Sequence, residues 1–232
     1  MSTQPLTRNI TATFRAATDG DRAIGFGWYA RARTLAERLA TEYTAGNGYY
    51  SEEEIKAAAG VIAALSPRLA WRKNVEYAET AYLAYHTMMN DKSLANVSED
   101  TRAAIFCGVI PTLKANARKA FRILNGEAPE DVLGGPKVRA FYFTITNPDD
   151  PRAVVVDRHA IDITFGQTLN DRERGLALGR KGAYDRVSEL YRRAARIISA
   201  ELGEVWTPAQ VQATTWTYWR RERAAAYHGE EN

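Results

Sequence analysis

Apolar side chains recur three and four residues apart along most of this 232-residue chain, and this spacing limits the possible folds more than any other feature of the sequence. The pattern is strongest over residues 184–202, and it is also present over residues 21–43, 55–65, 75–85 and 113–124. A helix with one apolar face must bury that face against other elements. The sequence therefore predicts an all-α, mostly helical fold.

Start and stop signals divide this pattern into separate helices. Ser51 with Glu54 predicts a capping box, and Thr207, which precedes a proline, predicts the start of a last helix. Pro67 suits the first position of a helix, and Thr112 suits an N-cap. The Gly46-Asn47-Gly48 segment is expected to end the first helical region, since glycine interrupts helices.

The composition is that of an ordinary folded protein, with 45% hydrophobic residues, 25% charged residues and a net charge of +3. A chain of this length can bury a substantial core, so we expect residues 1–232 to form a single helical unit. No apolar run approaches the ~18–20 residues that a membrane-spanning helix needs. We therefore expect no membrane partner.

Cysteine and histidine are too sparse for the common metal and redox sites. Cys107 is the only cysteine, which excludes an internal disulfide and a cysteine-ligated iron–sulfur cluster within one chain. His159 is far in sequence from His86 and His228, so we expect it to be a core residue or to support the residues of a site rather than to bind a metal. We expect no metal and no cofactor. Residues 1–5 do not resemble a secretory signal, and a cytoplasmic protein is expected.

Basic residues outnumber acidic ones over residues 110–139 and 171–196. Two basic segments of this kind can lie along a phosphate backbone. Solvated helix faces give the same pattern. Both interpretations remain open for either segment.

Two short patterns carry possible chemistry. Lys137 follows a Leu133-Gly134-Gly135-Pro136 turn, and Asp157 ends the apolar run Val155-Val156 just before Arg158-His159. An amine and a carboxylate that face one pocket can attack and stabilise a sugar with oxocarbenium character. Lys137 is otherwise a surface charge, and Asp157 is otherwise an N-cap, a role that is compatible with catalysis.

In their order along the chain, four segments resemble the helix-hairpin-helix superfamily of DNA glycosylases, the endonuclease III-like proteins. The segments are 61–66 with 71–74, 108–117, 126–130, and 133–137 with 155–159. They resemble, in turn, an early core helix that ends in Leu-Ser, a Gly-hydrophobic turn before a Lys-Ala helix, a Gly-Glu-x-Pro-Glu lead-in, and the hairpin with its aspartate junction. The resemblance covers about residues 55–165.

This resemblance implies a helix-hairpin-helix glycosylase-like fold of two helical lobes with a cleft between them. The flanking residues 1–54 and 166–232 would form the second lobe. The aromatic and β-branched residues of segment 138–146 favour a strand by propensity. The resemblance instead implies that this segment is the second helix of the hairpin.

The resemblance also implies a set of site residues. Lys137 lies where bifunctional members keep a catalytic lysine, and Asp157 lies where active members keep an aspartate. The residues expected to contact DNA are Arg68, Arg72, Lys73, Lys114, Gly134, Gly135, Arg139 and Arg158. The residues expected to line a pocket for a flipped base are Trp71, Tyr142, Phe143 and His159.

The hairpin departs from the family pattern. Only Asp131 and Val132 separate the lead-in from Leu133, so the hairpin is shortened, and its turn reads Gly-Gly-Pro. The iron–sulfur cysteines of some relatives are absent. Since hairpin amides bind a DNA phosphate in the family, the shortening bears directly on duplex binding.

Three functions follow from the resemblance. The first is a DNA glycosylase with or without abasic-site lyase activity. The second is a DNA hypermodification enzyme, like some phage proteins that resemble this superfamily and are proposed to transfer an amine or amino acid onto pyrophosphorylated hydroxymethyluracil. The third is a non-catalytic DNA-binding protein. Each has DNA as its partner, in the cytoplasm of a bacterial cell or a phage-infected host.

Aromatic and basic residues near the carboxyl end are given structural roles. Trp206, Trp216 and Trp219 lie at helical spacing, which is more typical of a core than of a stacking surface. The 220–223 segment is expected to be a solvated face, with phosphate contact as the alternative.

Overall fold

The computed structural model describes residues 4–44 and 51–229, and the expected helix end at Gly46-Asn47-Gly48 lies outside them. The described residues contain no strand, which confirms the all-α fold class. The α-helices are, in chain order, α1 Thr7–Ala16, α2 Asp19–Phe26, α3 Trp28–Thr44, α4 Glu52–Leu65, α5 Trp71–Asn90, α6 Glu99–Val109, α7 Lys114–Leu124, α8 Pro129–Val132, α9 Pro136–Thr146, α10 Arg158–Phe165, α11 Asp171–Leu178, α12 Ala183–Leu202 and α13 Pro208–Gly229.

The chain divides into two compact units. The first comprises Met1–Arg31 and Asn147–Asn232, and the second comprises Ala32–Thr146. These boundaries differ from residues 55 and 165, which the resemblance indicated. The glycosylase-like arrangement of two lobes around a cleft stays a prediction.

The first unit is built on α13, which contacts α1, α2, α10 and α12. Its apolar core includes Ile10, Phe14, Tyr191 and Trp206. Phe14 and Trp206 meet edge to face with their ring centroids 4.9 Å apart. The helix α13 is therefore the common neighbour of four helices, one of which is α10, the helix that follows Asp157.

The carboxyl-terminal half of α10 contains Asp162, which forms a buried ion pair with Arg174. Asp162 has no exposed surface, and its two carboxylate oxygens accept hydrogen bonds from Arg174 at 3.0 and 2.8 Å. The backbone N–H of Leu169 donates to the same carboxylate at 3.1 Å. A bidentate pair with an additional backbone donor satisfies a buried charge. The Asp162 carboxylate therefore connects α10 to α11.

The second unit is built around α4, in which every residue from Ala58 to Leu65 is buried. This helix contacts α5, α7, α8 and α9. A Cβ on Gly60 would lie 2.8 Å from two carbons of the Pro129 ring, so glycine allows α8 to approach α4 closely. The core of the second unit therefore positions the short α8 and the turn that follows it.

Segment 138–146 is helical, as the resemblance implied and against its strand propensity. Phe141, Tyr142 and Ile145 are buried, and α9 contacts α4. Burial of a helical stripe on α4 outweighs the modest intrinsic preference of these residues for strands. Strand propensity and the resemblance therefore gave opposite predictions for this segment, and its packing against α4 favours the helix.

Several boundaries differ from the sequence-based expectations. Residues 21–43 form two helices that meet at Gly27 rather than one. Pro67 does not start a helix, because α5 begins only at Trp71, after a turn in which Arg68 takes a left-handed φ of 65°. Leu113, not Thr112, precedes α7, and no side chain caps that helix.

The close contact between α2 and α13 predicts that a larger residue at Gly25 destabilises the protein. A Cβ on Gly25 would overlap the backbone of Thr214, so Gly25→Ala should force the two helices apart. We expect it to lower the free energy of unfolding by about 1–3 kcal/mol, measured by urea denaturation.

Gly175→Ala is the matched control. Gly175 lies inside α11 with no atom within 4 Å of the added Cβ, so alanine there should stabilise the protein by about 0.5–1 kcal/mol. Equal stability of the two variants would contradict the close packing of α2 on α13.

Candidate functional site

Asp157 lies where an irregular segment becomes a helix. Val154 to Val156 are buried and belong to no helix or strand, and Asp157, with an extended backbone, is the N-cap of α10. Its Oδ1 accepts a hydrogen bond from the backbone N–H of Ala160 at 2.8 Å, which confirms the cap. The side chain is half-buried, and Oδ2 has no hydrogen-bond partner among the described residues. One carboxylate oxygen is therefore held while the other is available.

Two tyrosines of α12 hold this junction in place. The Tyr184 hydroxyl donates to the carbonyl of Val154 and accepts from the N–H of Val156, both at 3.0 Å. The Tyr191 hydroxyl donates to the carbonyl of Ala160 at 3.4 Å. Burial raises the pKa of both phenols, which keeps them neutral donors. The backbone on either side of Asp157 is thus tied to α12.

His159 is the second residue of α10, and one of its two ring nitrogens has no hydrogen-bond partner within the described residues. Its Nε2 accepts from Nε of Arg158 at 3.4 Å, so the hydrogen of the neutral ring is on Nδ1. Nδ1 is buried and has no partner within the described residues. Burial is the main reason that the pKa of His159 is lowered, with an opposing contribution from Asp157. The ring is therefore a neutral imidazole with one unused donor.

Trp216 and Arg220 of α13 lie beside His159. The ring centroids of His159 and Trp216 are 6.5 Å apart at an interplanar angle of 75°. Cζ of Arg220 lies 4.5 Å from the centroid of the Trp216 indole. A guanidinium at this distance over an indole makes a cation–π contact. Trp216 is only partly buried, and Arg220 is exposed.

Sequence reasoning placed neither residue at a site: it expected Trp216 in the core, and Trp216 is only partly buried, and it expected Arg220 on a solvated face, where Arg220 is exposed. Trp206 is buried at 6% exposure, as expected of a core residue. The signal that could have found the other two is their i, i+4 spacing, which stacks an arginine on a tryptophan of the same helix. The proximity of His159 could not be read from the sequence, because it depends on how α10 contacts α13.

The hairpin of the second unit consists of α8, a short turn and α9. Gly135 has a φ of 80°, a conformation in which glycine is strongly favoured. The Tyr142 hydroxyl donates to the carboxylate of Glu130 at 2.6 Å, and Arg139 donates to the Glu130 carbonyl. These bonds tie α8 to α9, so the position of Lys137 in the first turn of α9 is well defined.

Two of the helices that carry predicted DNA contacts begin without a side-chain cap. Ala70 precedes α5 and Leu113 precedes α7, and neither contributes a capping hydrogen bond. No acidic residue lies in the first turn of α5, α7 or α9, where the basic residues Arg72, Lys73, Lys114 and Lys137 lie instead. Basic side chains beside the positive end of a helix repel it, and a bound anion relieves that repulsion.

The basic residues of the second unit that are predicted to contact DNA differ in whether their side chains already have an ion-pair or hydrogen-bond partner. Lys114 and Lys137 are exposed and have no ion pair or hydrogen bond from the side chain within the described residues. Lys73 instead pairs with Glu76 at 2.9 Å. Arg68 is exposed on its left-handed turn. Lys114 and Lys137, like the exposed Arg68 and Arg72, therefore have a charge that no partner within the described residues neutralises.

The predicted base-pocket residues are in unlike environments. Tyr142 is 2% exposed and bonded to Glu130, so it is a core residue of its unit rather than a surface for a ligand. Trp71 is half-buried, edge to face with Phe141 at 6.4 Å, and Phe143 is exposed. His159 is the only one of the four in the first unit, together with Asp157 and Arg158. Lys137 belongs to the second unit.

Comparison with known proteins shows that nearly the whole chain matches one family. A family model matches residues 1–223, which is nearly the full chain. The chain belongs to the family of unknown function DUF7178. No curated protein and no solved structure matches it. Membership in this family assigns no chemistry, so function must be argued from the side chains.

Two features are absent from the residues that the structure describes. None of their helices is long and apolar enough to cross a membrane. They also contain no group of three or more His, Cys, Asp or Glu side chains placed to hold a metal ion.

The lowered pKa of His159 makes a pH-dependent stability prediction. The unfolded imidazole takes up a proton as the pH falls through about 6.5, whereas the folded one does so only at lower pH. The free energy of unfolding should therefore fall as the pH drops below about 6.5, and it should stop falling once the pH is below the pKa of His159 in the folded protein. His159→Gln should flatten this slope in urea denaturation between about pH 5 and 7.5.

His86 is the control, since burial also lowers its pKa. His86→Gln should remove a separate part of the slope, and the double variant should be flatter than either single one. A His159→Gln variant with the full wild-type slope would show that His159 is not a buried neutral imidazole.

Proposed function

We propose that this protein is a DNA base-processing enzyme that cleaves the N-glycosidic bond of a nucleotide, with Asp157 as the stabilising carboxylate. One observation carries the proposal. Asp157 is held by the N–H of Ala160 through one oxygen, while the other oxygen is free and the side chain is partly exposed. A fixed carboxylate with a free oxygen suits the stabilisation of developing positive charge.

The reaction defines what Asp157 must do. As the bond between C1′ and the base nitrogen breaks, the base leaves with the electron pair and takes up a proton, and positive charge develops on the sugar. A carboxylate next to C1′ stabilises that charge. Water then forms the new bond at C1′ and loses a proton.

The basic helix starts of the second unit support a polyanionic substrate. The first turns of α5, α7 and α9 carry basic and no acidic side chains. Phosphates of a nucleic-acid backbone are the abundant anions that such helix starts bind. Arg72, Lys114 and Lys137 are the residues through which we expect most of this binding.

Lys137 is the candidate for lyase chemistry. Its amine would attack C1′ of an abasic sugar to form a Schiff base, with loss of water, and β-elimination would then cleave the strand. Its exposure and its lack of a partner within the described residues leave the amine accessible.

Borohydride trapping tests the lyase step. An oligonucleotide with one abasic site, incubated with the protein and borohydride, should become covalently attached, since reduction fixes the Schiff base. Lys137→Ala should abolish the adduct. Lys92→Ala is the matched control, an exposed lysine of the same unit, and should leave it unchanged. Full trapping by Lys137→Ala would remove Lys137 from the mechanism.

Asp157→Asn tests the stabilising role without removing the cap, because asparagine caps helices about as well as aspartate. We expect at least a 10²-fold loss in the rate of base release, with little change in the thermal midpoint or in DNA affinity. Release is measured by mass spectrometry of free bases from a panel of oligonucleotides with modified bases. An unchanged rate would rule out Asp157 as the stabilising group.

A second candidate function rests on the short α8, which spans only four residues, Pro129–Val132. Such a hairpin departs from the glycosylase pattern and fits a relative that has changed its reaction. In that reaction an amine nitrogen bonds to the methylene carbon of a pyrophosphorylated hydroxymethyluracil and loses a proton, while pyrophosphate leaves with the electron pair. Mass spectrometry of the nucleosides distinguishes the two, since transfer adds mass to a base and glycosylase action removes the base.

A further inference from the structure

One cluster of the first unit has no role in the chemistry above. It consists of Trp216, Arg220 and His159, and we call it the Trp216 platform. We propose that the Trp216 platform binds the planar ring of a single unpaired nucleotide, stacked on the indole and flanked by the Arg220 guanidinium. This inference rests on the proposed function and adds the residues that hold the base.

The geometry of the stack is that of a surface for flat rings. Cζ of Arg220 lies 4.5 Å from the indole centroid, so a planar cation already covers Trp216. Nucleobases stack on tryptophan through the same face, and arginine stacks on bases in turn. A nucleobase therefore either takes the place of the guanidinium or lies against it.

The charge of Arg220 is not committed elsewhere. Arg220 is exposed and has no acidic partner within the described residues. Its neighbour Arg221, by contrast, pairs with Asp21 and Glu222. An uncommitted arginine on an aromatic ring can move with the ligand and contact the phosphate next to the base.

His159 gives the platform a polar contact. Its Nδ1–H is buried and unpartnered, which is costly for a folded protein. Arg158, which donates to Nε2 of this ring, and Arg220 are both exposed, so the ring lies beside two side chains that a ligand can move. A ring carbonyl or ring nitrogen would then accept the hydrogen bond. The platform thus recognises a flat ring with an acceptor on its edge.

The position in the chain connects the platform to Asp157. His159 is two residues after Asp157 on the same helix start, and Trp216 contacts His159 from α13. A nucleotide whose base lies on Trp216 therefore has its sugar within the same part of the first unit as the carboxylate. Binding of the base and stabilisation of the sugar belong to one unit.

The test is binding of a short single-stranded DNA that contains one 2-aminopurine. Stacking on an indole should quench the fluorescence of 2-aminopurine when the wild-type protein binds. Trp216→Leu should abolish the quenching and raise the Kd about tenfold or more. Trp216→Phe, which keeps a ring, should retain most of both.

Arg220 provides a matched pair of variants on α13. Arg220→Gln should weaken binding, and Arg220→Lys should restore only part of it, because lysine keeps the charge but not the planar stack. Arg221→Gln removes the same charge from the next residue and should leave Kd and quenching unchanged. Equal effects of the Arg220 and Arg221 variants would reduce the platform to a general attraction for anions and overturn the inference.

Failure of this inference is distinguishable from failure of the proposed function. Wild-type Kd and quenching in Trp216→Leu, or no quenching by the wild-type protein, overturn the platform even where base release proceeds. Quenching that depends on Trp216, without base release or base modification by the wild-type protein, supports the platform and removes the enzymatic function. Circular dichroism of each variant identifies any that does not fold, and the Arg220 variants then decide.

Discussion

The arrangement of the first unit depends on the hydrogen bonds that the Tyr184 hydroxyl makes with the backbone just before Asp157. That hydroxyl donates to the Val154 carbonyl and accepts from the Val156 N–H, so it satisfies two backbone groups of a segment that belongs to no helix or strand. Buried backbone groups without such partners are costly. With the segment fixed in this way, the chain enters α10 at a defined point. Asp157 caps that helix with one oxygen, and its other oxygen has no hydrogen-bond partner among the described residues.

In the second unit the organising constraint is electrostatic. Helices in folded proteins commonly begin with acidic or capping residues, as α4 does with its Ser51–Glu54 capping box. The helices α5 and α7 begin with neither, and α9 likewise has no acid in its first turn. Such helix starts contribute little to protein stability. Under the proposed function, a phosphate bound at one of them would gain from both the N–H groups and the side-chain charge.

The sequence predicted the fold class and many of the helices. The capping box at Ser51, the cap at Asp157 and the helix over residues 184–202 follow from local chemistry, and all are confirmed. Boundaries set by competition between neighbouring signals were less predictable, as at Pro67, where the chain instead turns through Arg68. The place of His159 in the Trp216 platform could not be foreseen, because it depends on a contact between helices that are distant in sequence. Tyr142 was misjudged for the related reason that burial is a property of the fold.

The central claim is that Asp157 stabilises positive charge on a deoxyribose. It is tested most directly by comparing the affinities of the protein for two abasic DNAs, one with a cationic pyrrolidine and one with a neutral tetrahydrofuran in place of the sugar. The account predicts that the wild-type protein binds the pyrrolidine DNA at least tenfold more tightly, as expected for a transition-state mimic. It also predicts that Asp157→Asn reduces this ratio to about one. A preference for pyrrolidine that survives in Asp157→Asn, or that is absent from the wild-type protein, would contradict it.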